Sequence, residues 1–211
     1  MRPADGETLR QWLIRSGRTR WIDVGSGGRF DDGFECVDIL PPELLGEDMR
    51  RRYHRFSMVD PPPDLEKLGT YDLVRAQHVL EHMSWEDGGR FVTNCLRIMH
   101  KDSVLLLTVP DLRRHIEWYE SGYQEPSEFR AWAELRIPPD SPPSMYFSVF
   151  AHSMVYEPHK WCYDAAGIRF QLDKFEEFDE ISILPTDHSM SEYPFTHNRP
   201  NEDLCAIAWV R

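Results

Sequence analysis

The chain lacks the features that staple extracellular scaffolds or anchor proteins in membranes. Its four cysteines, Cys36, Cys95, Cys162 and Cys205, are scattered over 211 residues with no C-x-x-C spacing. That excludes a disulfide framework or zinc knuckle and fits reduced core residues. No run approaches the roughly 18 apolar residues of a membrane span. Residues 1–17 carry charges throughout and no apolar segment, so no secretory signal is expected there. Positive charge is scarce as well, with 24 Lys and Arg against 36 Asp and Glu, a formal net charge of −12. Without a basic footprint, nonspecific binding to nucleic acid or to an anionic membrane is disfavoured, and a small or neutral substrate is compatible. Composition therefore predicts a soluble, cytoplasmic protein of one domain, residues 1–211, with room for a sizeable core.

Against these absences one segment stands out. Trp21-Ile-Asp-Val-Gly-Ser-Gly-Gly28 reads as a short apolar strand and a glycine turn, and Val37-Asp38-Ile39 as the end of the next strand. Glycines let a backbone approach a ligand closely, and an acid at the tip of the second strand can accept hydrogen bonds from both hydroxyls of a ribose. The spacing argues against a dinucleotide. Such a site wants a third glycine, a helix and an acid about 20 residues on, whereas Asp38 lies 13 residues beyond Gly25 and Arg29-Phe-Asp-Asp-Gly33 is too short for a crossover helix. A pyrophosphate then loses its helix N-terminus. S-adenosylmethionine (SAM), which has no phosphate, tolerates that loss.

Asp23, Gly25, Gly27, Gly33, Phe34, Val37 and Asp38 together follow a pattern like D-x-G-x-G … G-[WF]-x-x-V-D. Here the chain resembles the class I SAM-dependent methyltransferases, and more narrowly the small bacterial, methyltransferase type 11-like members with a shortened first crossover. A second segment, Tyr71-Asp-Leu-Val-Arg-Ala-Gln-His78-Val-Leu-Glu81-His82, resembles the strand and following motif of the same enzymes. A third, Glu157-Pro-His159-Lys160-Trp-Cys-Tyr-Asp164, resembles the stretch before their last helix. The resemblance spans residues 20–120 and 157–175. It implies a doubly wound, mostly parallel, seven-stranded α/β sheet of Rossmann-like type, with an insertion after the fifth strand and an antiparallel last pair.

The pattern along the chain fits that scheme. A helix is expected within residues 5–16, strands at 20–24, 35–39, near 53–58 and 71–75, and a helix beginning near Ser84 with Asp87 three residues on. Ser103–Val109, a continuous apolar run, reads as a central strand covered on both faces. Residues 112–160 then interrupt the sheet with helices at 112–120 and 126–136, a proline-rich loop at 137–143 and an aromatic stretch at 145–150. This insertion is read as a lid or a packing and dimer element, which admits a homodimer. A helix near 164–175 and strands at 180–184 and 203–210 close the chain.

Ligands of such sheets bind beyond the carboxyl ends of the strands, so Asp23, Gly25, Ser26, Gly27, Asp38, Ile39, Met58, Ala76 and Gln77 are the expected SAM contacts. His78 and His159 are the expected catalytic residues. Moving a methyl to a hydroxyl requires removal of a proton, for which a histidine is the natural base; read on a helix, His78 and His82 share a face. Some ubiquinone-pathway and small-RNA O-methyltransferases hold a metal with E-x-x-E-H and a downstream histidine, and the matching positions are His78, Glu81, His82 and His159. His78 stands where those enzymes carry glutamate, and a metal-free site is the expectation. The predicted activity is O-methylation of a small-molecule or glycan hydroxyl. Two other classes stay open, a methyltransferase-like scaffold that has lost activity and an NAD or nucleotide-sugar enzyme.

Overall fold

The computed structural model describes residues 2–5, 7–28, 31–124, 127–153, 157–184, 199 and 201–211. Its centre is a seven-stranded sheet of order β3-β2-β1-β4-β5-β7-β6. The strands are β1 Trp21–Val24, β2 Phe34–Asp38, β3 Tyr53–Arg55, β4 Tyr71–Gln77, β5 Met99–Pro110, β6 Phe178–Leu184 and β7 Asp203–Val210. The first five pair in parallel, while β7 runs antiparallel to both β5 and β6.

Alternation along the strands sorts side chains between two cores. Leu105, Leu107 and Val109 of β5 join Val74 and Ala76 of β4 on the face covered by helices α3 (Trp85–Arg97) and α7 (Ala165–Leu172). Val104 and Leu106 point the other way, against Leu9, Trp12 and Leu13 of α1 (Leu9–Arg15). That two-sided burial is what the apolar run of β5 encodes. α3 starts where the sequence suggests, its Ser84 hydroxyl accepting the Asp87 backbone N–H at 3.1 Å.

Several expectations are corrected. A short helix, α2 (Glu47–Arg50), precedes β3, and β3 ends at Arg55 rather than near residue 58. The insertion holds α4 (Leu112–Glu120), α5 (Glu128–Ala133) and α6 (Pro143–His152). The aromatic stretch is thus a helix, begun by Pro143 at its first position, where a missing N–H costs nothing. Its rings close a third core of Trp118, Tyr123, Phe129, Ala133, Tyr146, Val149 and Phe150. Arg29 and Phe30 of the short crossover, and the expected helix start at Pro126, lie outside the described residues. Among the described residues no helix is long and apolar enough to cross a membrane.

Candidate active site

The carboxyl ends of β1, β2 and β4 meet as the topology requires. Gly25 takes φ +74° and Gly27 φ +60°, left-handed values that cost an L-residue. A Cβ on Gly25 would stand 2.5 Å from Val79 Cγ2, so this glycine is what lets the segment after β4 pack against the turn. Asp38 closes the turn from the far side. Its Oδ2 accepts the Gly27 N–H at 2.8 Å, and its Oδ1 accepts those of Ile39 at 2.7 Å and Leu40 at 3.2 Å. The Tyr53 hydroxyl braces the end of β2 by donating to the carbonyls of Asp38 and Leu40.

The other expected cofactor residues divide. Ile39 is 66 % exposed at the strand tip, while Ser26, Ala76 and Gln77 are buried at the rim. The Met58 side chain is packed into the main core, with its carbonyl held by Asn94. Asp23 is turned inward to the Arg75 guanidinium at 2.7 Å, which also reaches Asp31 at 2.6 Å and lies over the Phe34 ring. Burial raises the Asp23 carboxyl above its ordinary range, against the pull of Arg75. Arg75 and Asp31, absent from the expected set, tie the short crossover to the sheet floor.

The histidine segment is not a regular helix. His78 has φ +54°, and only a turn of 3-10 helix, Leu80–His82, follows. The shared helical face of His78 and His82 is therefore corrected, because a left-handed residue lies between strand and turn; the two rings meet instead at one Glu81 oxygen, Oε1, with His78 Nδ1 at 3.3 Å and His82 Nε2 at 3.9 Å. His78 Nε2 lies 2.8 Å from Asp203 Oδ2, and its Nδ1 3.3 Å from Glu81 Oε1. His82 instead meets His159, ring centroids 4.8 Å apart and edge to face. Donor atoms of Glu81, His82 and His159 all lie within 4.8 Å of one another.

Electrostatics separate the four groups. Burial alone would lower His78, but the Asp203 carboxylate, helped by Glu81, outweighs it and pushes the imidazole up to about 10. Burial raises Asp203 in turn, to about 7, with His78 opposing. Burial would also raise Glu81, yet His78 beside it outweighs that and holds it below the usual carboxylate range. Burial depresses His159 to about 4, so its ring is neutral at pH 7. His82 Nδ1 lies 2.6 Å from the Glu157 carbonyl. It donates there, which leaves Nε2 as the lone pair that can face a ligand.

Sequence reasoning missed Asp203 and its neighbour Glu202. Glu202 Oε1 lies 2.9 Å from Nε2 of His115, which is completely buried in the insertion core. An acid pair opening an apolar strand was the only available signal, and nothing in the spacing names its partners.

No protein-family profile and no curated protein sequence matches the chain. Solved structures do. A protein described as a candidate O-methyltransferase from Nostoc punctiforme aligns with 95 % of this chain at 13 % identity and a TM-score of 0.54; the chain spans 54 % of that protein's length. A SAM-dependent methyltransferase from Thermotoga maritima aligns with 91 % of this chain and 82 % of its own, at 12 % identity and a TM-score of 0.51. Magnesium protoporphyrin IX methyltransferase from Synechocystis, with S-adenosylhomocysteine bound, aligns with 96 % of this chain and 80 % of its own, at 12 % identity and a TM-score of 0.50. Strand order, antiparallel last pair and these alignments agree: the chain has the fold of the class I SAM-dependent methyltransferases.

Proposed function

We propose that the protein is a cytoplasmic SAM-dependent methyltransferase that methylates a hydroxyl of a small-molecule or glycan acceptor, with a divalent ion held by Glu81, His82 and His159. The observation that carries this reading is the convergence of those three side chains, two of them in the turn after β4, which follows the Val79 that packs on Gly25. The fold, the left-handed glycines and Asp38 at the tip of β2 support SAM as the methyl donor. The net charge of −12 favours a small or neutral acceptor over nucleic acid. The four free cysteines suit a reducing compartment.

The donor set fits an ion. Glu81 is 1 % exposed; its Oε1 meets His78 Nδ1 only as an ion-pair contact at 3.3 Å, and its Oε2 has no hydrogen-bond partner. Nδ1 of His159 is likewise buried without one. Leaving such groups unsatisfied costs about 1–3 kcal/mol each. Donors around a first-row ion sit at roughly 2.0–2.2 Å from it, so short side-chain rotations suffice to close the set. The Glu81 carbonyl accepts the N–H groups of Lys160 and Trp161 at 2.8 and 3.2 Å, clamping the turn to the segment that carries His159.

In the reaction the methyl passes from the sulfonium sulfur to the acceptor oxygen as the C–S bond breaks, the hydroxyl proton passes to solvent water, and the neutral thioether S-adenosylhomocysteine is released. A bound divalent ion would supply Lewis acidity that lowers the hydroxyl pKa. Glu81 offsets charge, while His82 and His159 offer imidazole nitrogens. In this reading His78 is not the base, since both its ring nitrogens are engaged, Nε2 by Asp203 at 2.8 Å and Nδ1 by Glu81 at 3.3 Å.

Calorimetry with SAM and S-adenosylhomocysteine, followed by transfer of labelled methyl to a panel of hydroxylated small molecules and glycans, tests the reading. Binding of both ligands is expected, with turnover lost to a chelator and restored by Mn²⁺. No heat with either ligand would refute SAM dependence, and turnover indifferent to the chelator would refute the ion.

A further inference from the structure

Resting on that metal reading, we propose that His78 is a positioning residue. Anchored by Asp203, it orients Glu81 so that Glu81, His82 and His159 present a three-donor face of two imidazoles and one carboxylate. Such a face takes a borderline first-row ion such as Mn²⁺, Co²⁺ or Zn²⁺ rather than Mg²⁺ or Ca²⁺.

Geometry carries the assignment. Both His78 nitrogens are committed, Nε2 to Asp203 at 2.8 Å and Nδ1 toward Glu81 at 3.3 Å. No nitrogen is left to face the His82 and His159 rings, and His78 is absent from the converging set. Asp203 is completely buried at the start of β7, on a strand paired along its length with β5 and β6. It is a rigid anchor. The backbone bears a cost for this arrangement: His78 sits at φ +54°, held by its N–H to the Thr108 carbonyl at 3.0 Å. A histidine stored in left-handed backbone at a strand end is the kind of strain that persists where a side chain must point one way. Ligating carboxylates need such an orienting partner, and removing one typically costs about 10- to 100-fold in metal affinity. The donor chemistry sets the ion class, since imidazole suits transition ions while Mg²⁺ and Ca²⁺ prefer all-oxygen shells.

The test titrates the full chain with Co²⁺, Mn²⁺, Zn²⁺ and Mg²⁺, reading Co²⁺ binding by visible absorption and SAM affinity and melting temperature alongside. His82→Ala and His159→Ala report on the ligands, and Asp203→Asn and His78→Asn on the positioning pair. Asparagine tolerates left-handed backbone but is too short to bridge Asp203 and Glu81, so His78→Asn keeps the test available should Asp203→Asn fail to fold. The expected results are a preference for Co²⁺ and Mn²⁺ over Mg²⁺ and no Co²⁺ band in the ligand variants. The positioning variants should bind about 10- to 100-fold more weakly, with a displaced Co²⁺ band and unchanged SAM affinity. Affinity and band unchanged in both positioning variants would overturn the inference while leaving the metal reading intact. Complete loss in His78→Asn, matching His82→Ala, would make His78 a ligand and overturn it as well. Absence of binding by the wild-type chain would remove the metal reading itself.

Discussion

The His115 imidazole lies face to face on the Phe150 ring, centroids 3.7 Å apart and planes within 10°. Phe150 in turn meets His159 edge to face at 5.5 Å. The insertion is therefore a packed layer whose central ring supports a residue of the candidate site. Phe150→Ala should cost about 3–5 kcal/mol, the range for emptying a buried aromatic position, and should weaken Co²⁺ binding through His159. Denaturant unfolding checks the first effect. A loss below about 1 kcal/mol would mean that the layer collapses to fill the space.

Gly25 and Gly27 look alike in sequence and differ in their surroundings. Gly25→Ala combines left-handed backbone with a Cβ 2.5 Å from Val79 Cγ2, whereas at Gly27 nothing lies within 4 Å of the Cβ position. The alanine at 27 should cost about 1–2 kcal/mol for its backbone alone. At 25 overpacking adds about 1–3 kcal/mol. Chemical denaturation of the two variants compares them, and equal losses would show that the Val79 side chain simply moves aside.

What could be read in the chain followed from local chemistry. β5 was legible because buried parallel strands demand continuous apolar runs, and α3 because Ser84 and Asp87 mark a helix start. α6 was hidden, since the prolines before it read as a loop and its aromatic stretch carries no clear helical period, and packing onto Phe129 and Trp118 decides its form. The acid after β2 and the glycine turn were visible at short range. The meeting of Glu81, His82 and His159 agreed with a resemblance, whereas the contacts of the His78 ring could not be read from it. Its orientation depends on a positive φ and on Asp203, 125 residues away, and spacing encodes neither.

Asp38 accepts hydrogen bonds from three backbone N–H groups. Those contacts preset its carboxylate at the end of β2 and leave lone pairs for ribose hydroxyls. Asp38→Ala should weaken SAM by about 1–3 kcal/mol, the range for hydrogen bonds to a charged group. It should also lower the melting temperature, because the turn N–H groups lose their acceptor. Calorimetry with an unchanged dissociation constant would remove Asp38 from the cofactor site.

Glu202, buried and held by His115 and Arg199, is expected to contribute to acid unfolding. Burial alone would raise its carboxyl, but the His115 hydrogen bond and Arg199 outweigh that and hold it at about 2, against an ordinary value of 4.5. A carboxyl depressed in the folded state contributes stability that is present above its unfolded pKa and lost as pH falls through its folded one. The contribution is complete above about pH 4.5 and fades toward pH 2. Glu202→Gln should therefore lower stability at pH 7 and flatten its decline between those two values. Urea unfolding of both proteins across that range checks the sign, and parallel curves would show that the buried Glu202–His115 pair does not govern acid unfolding.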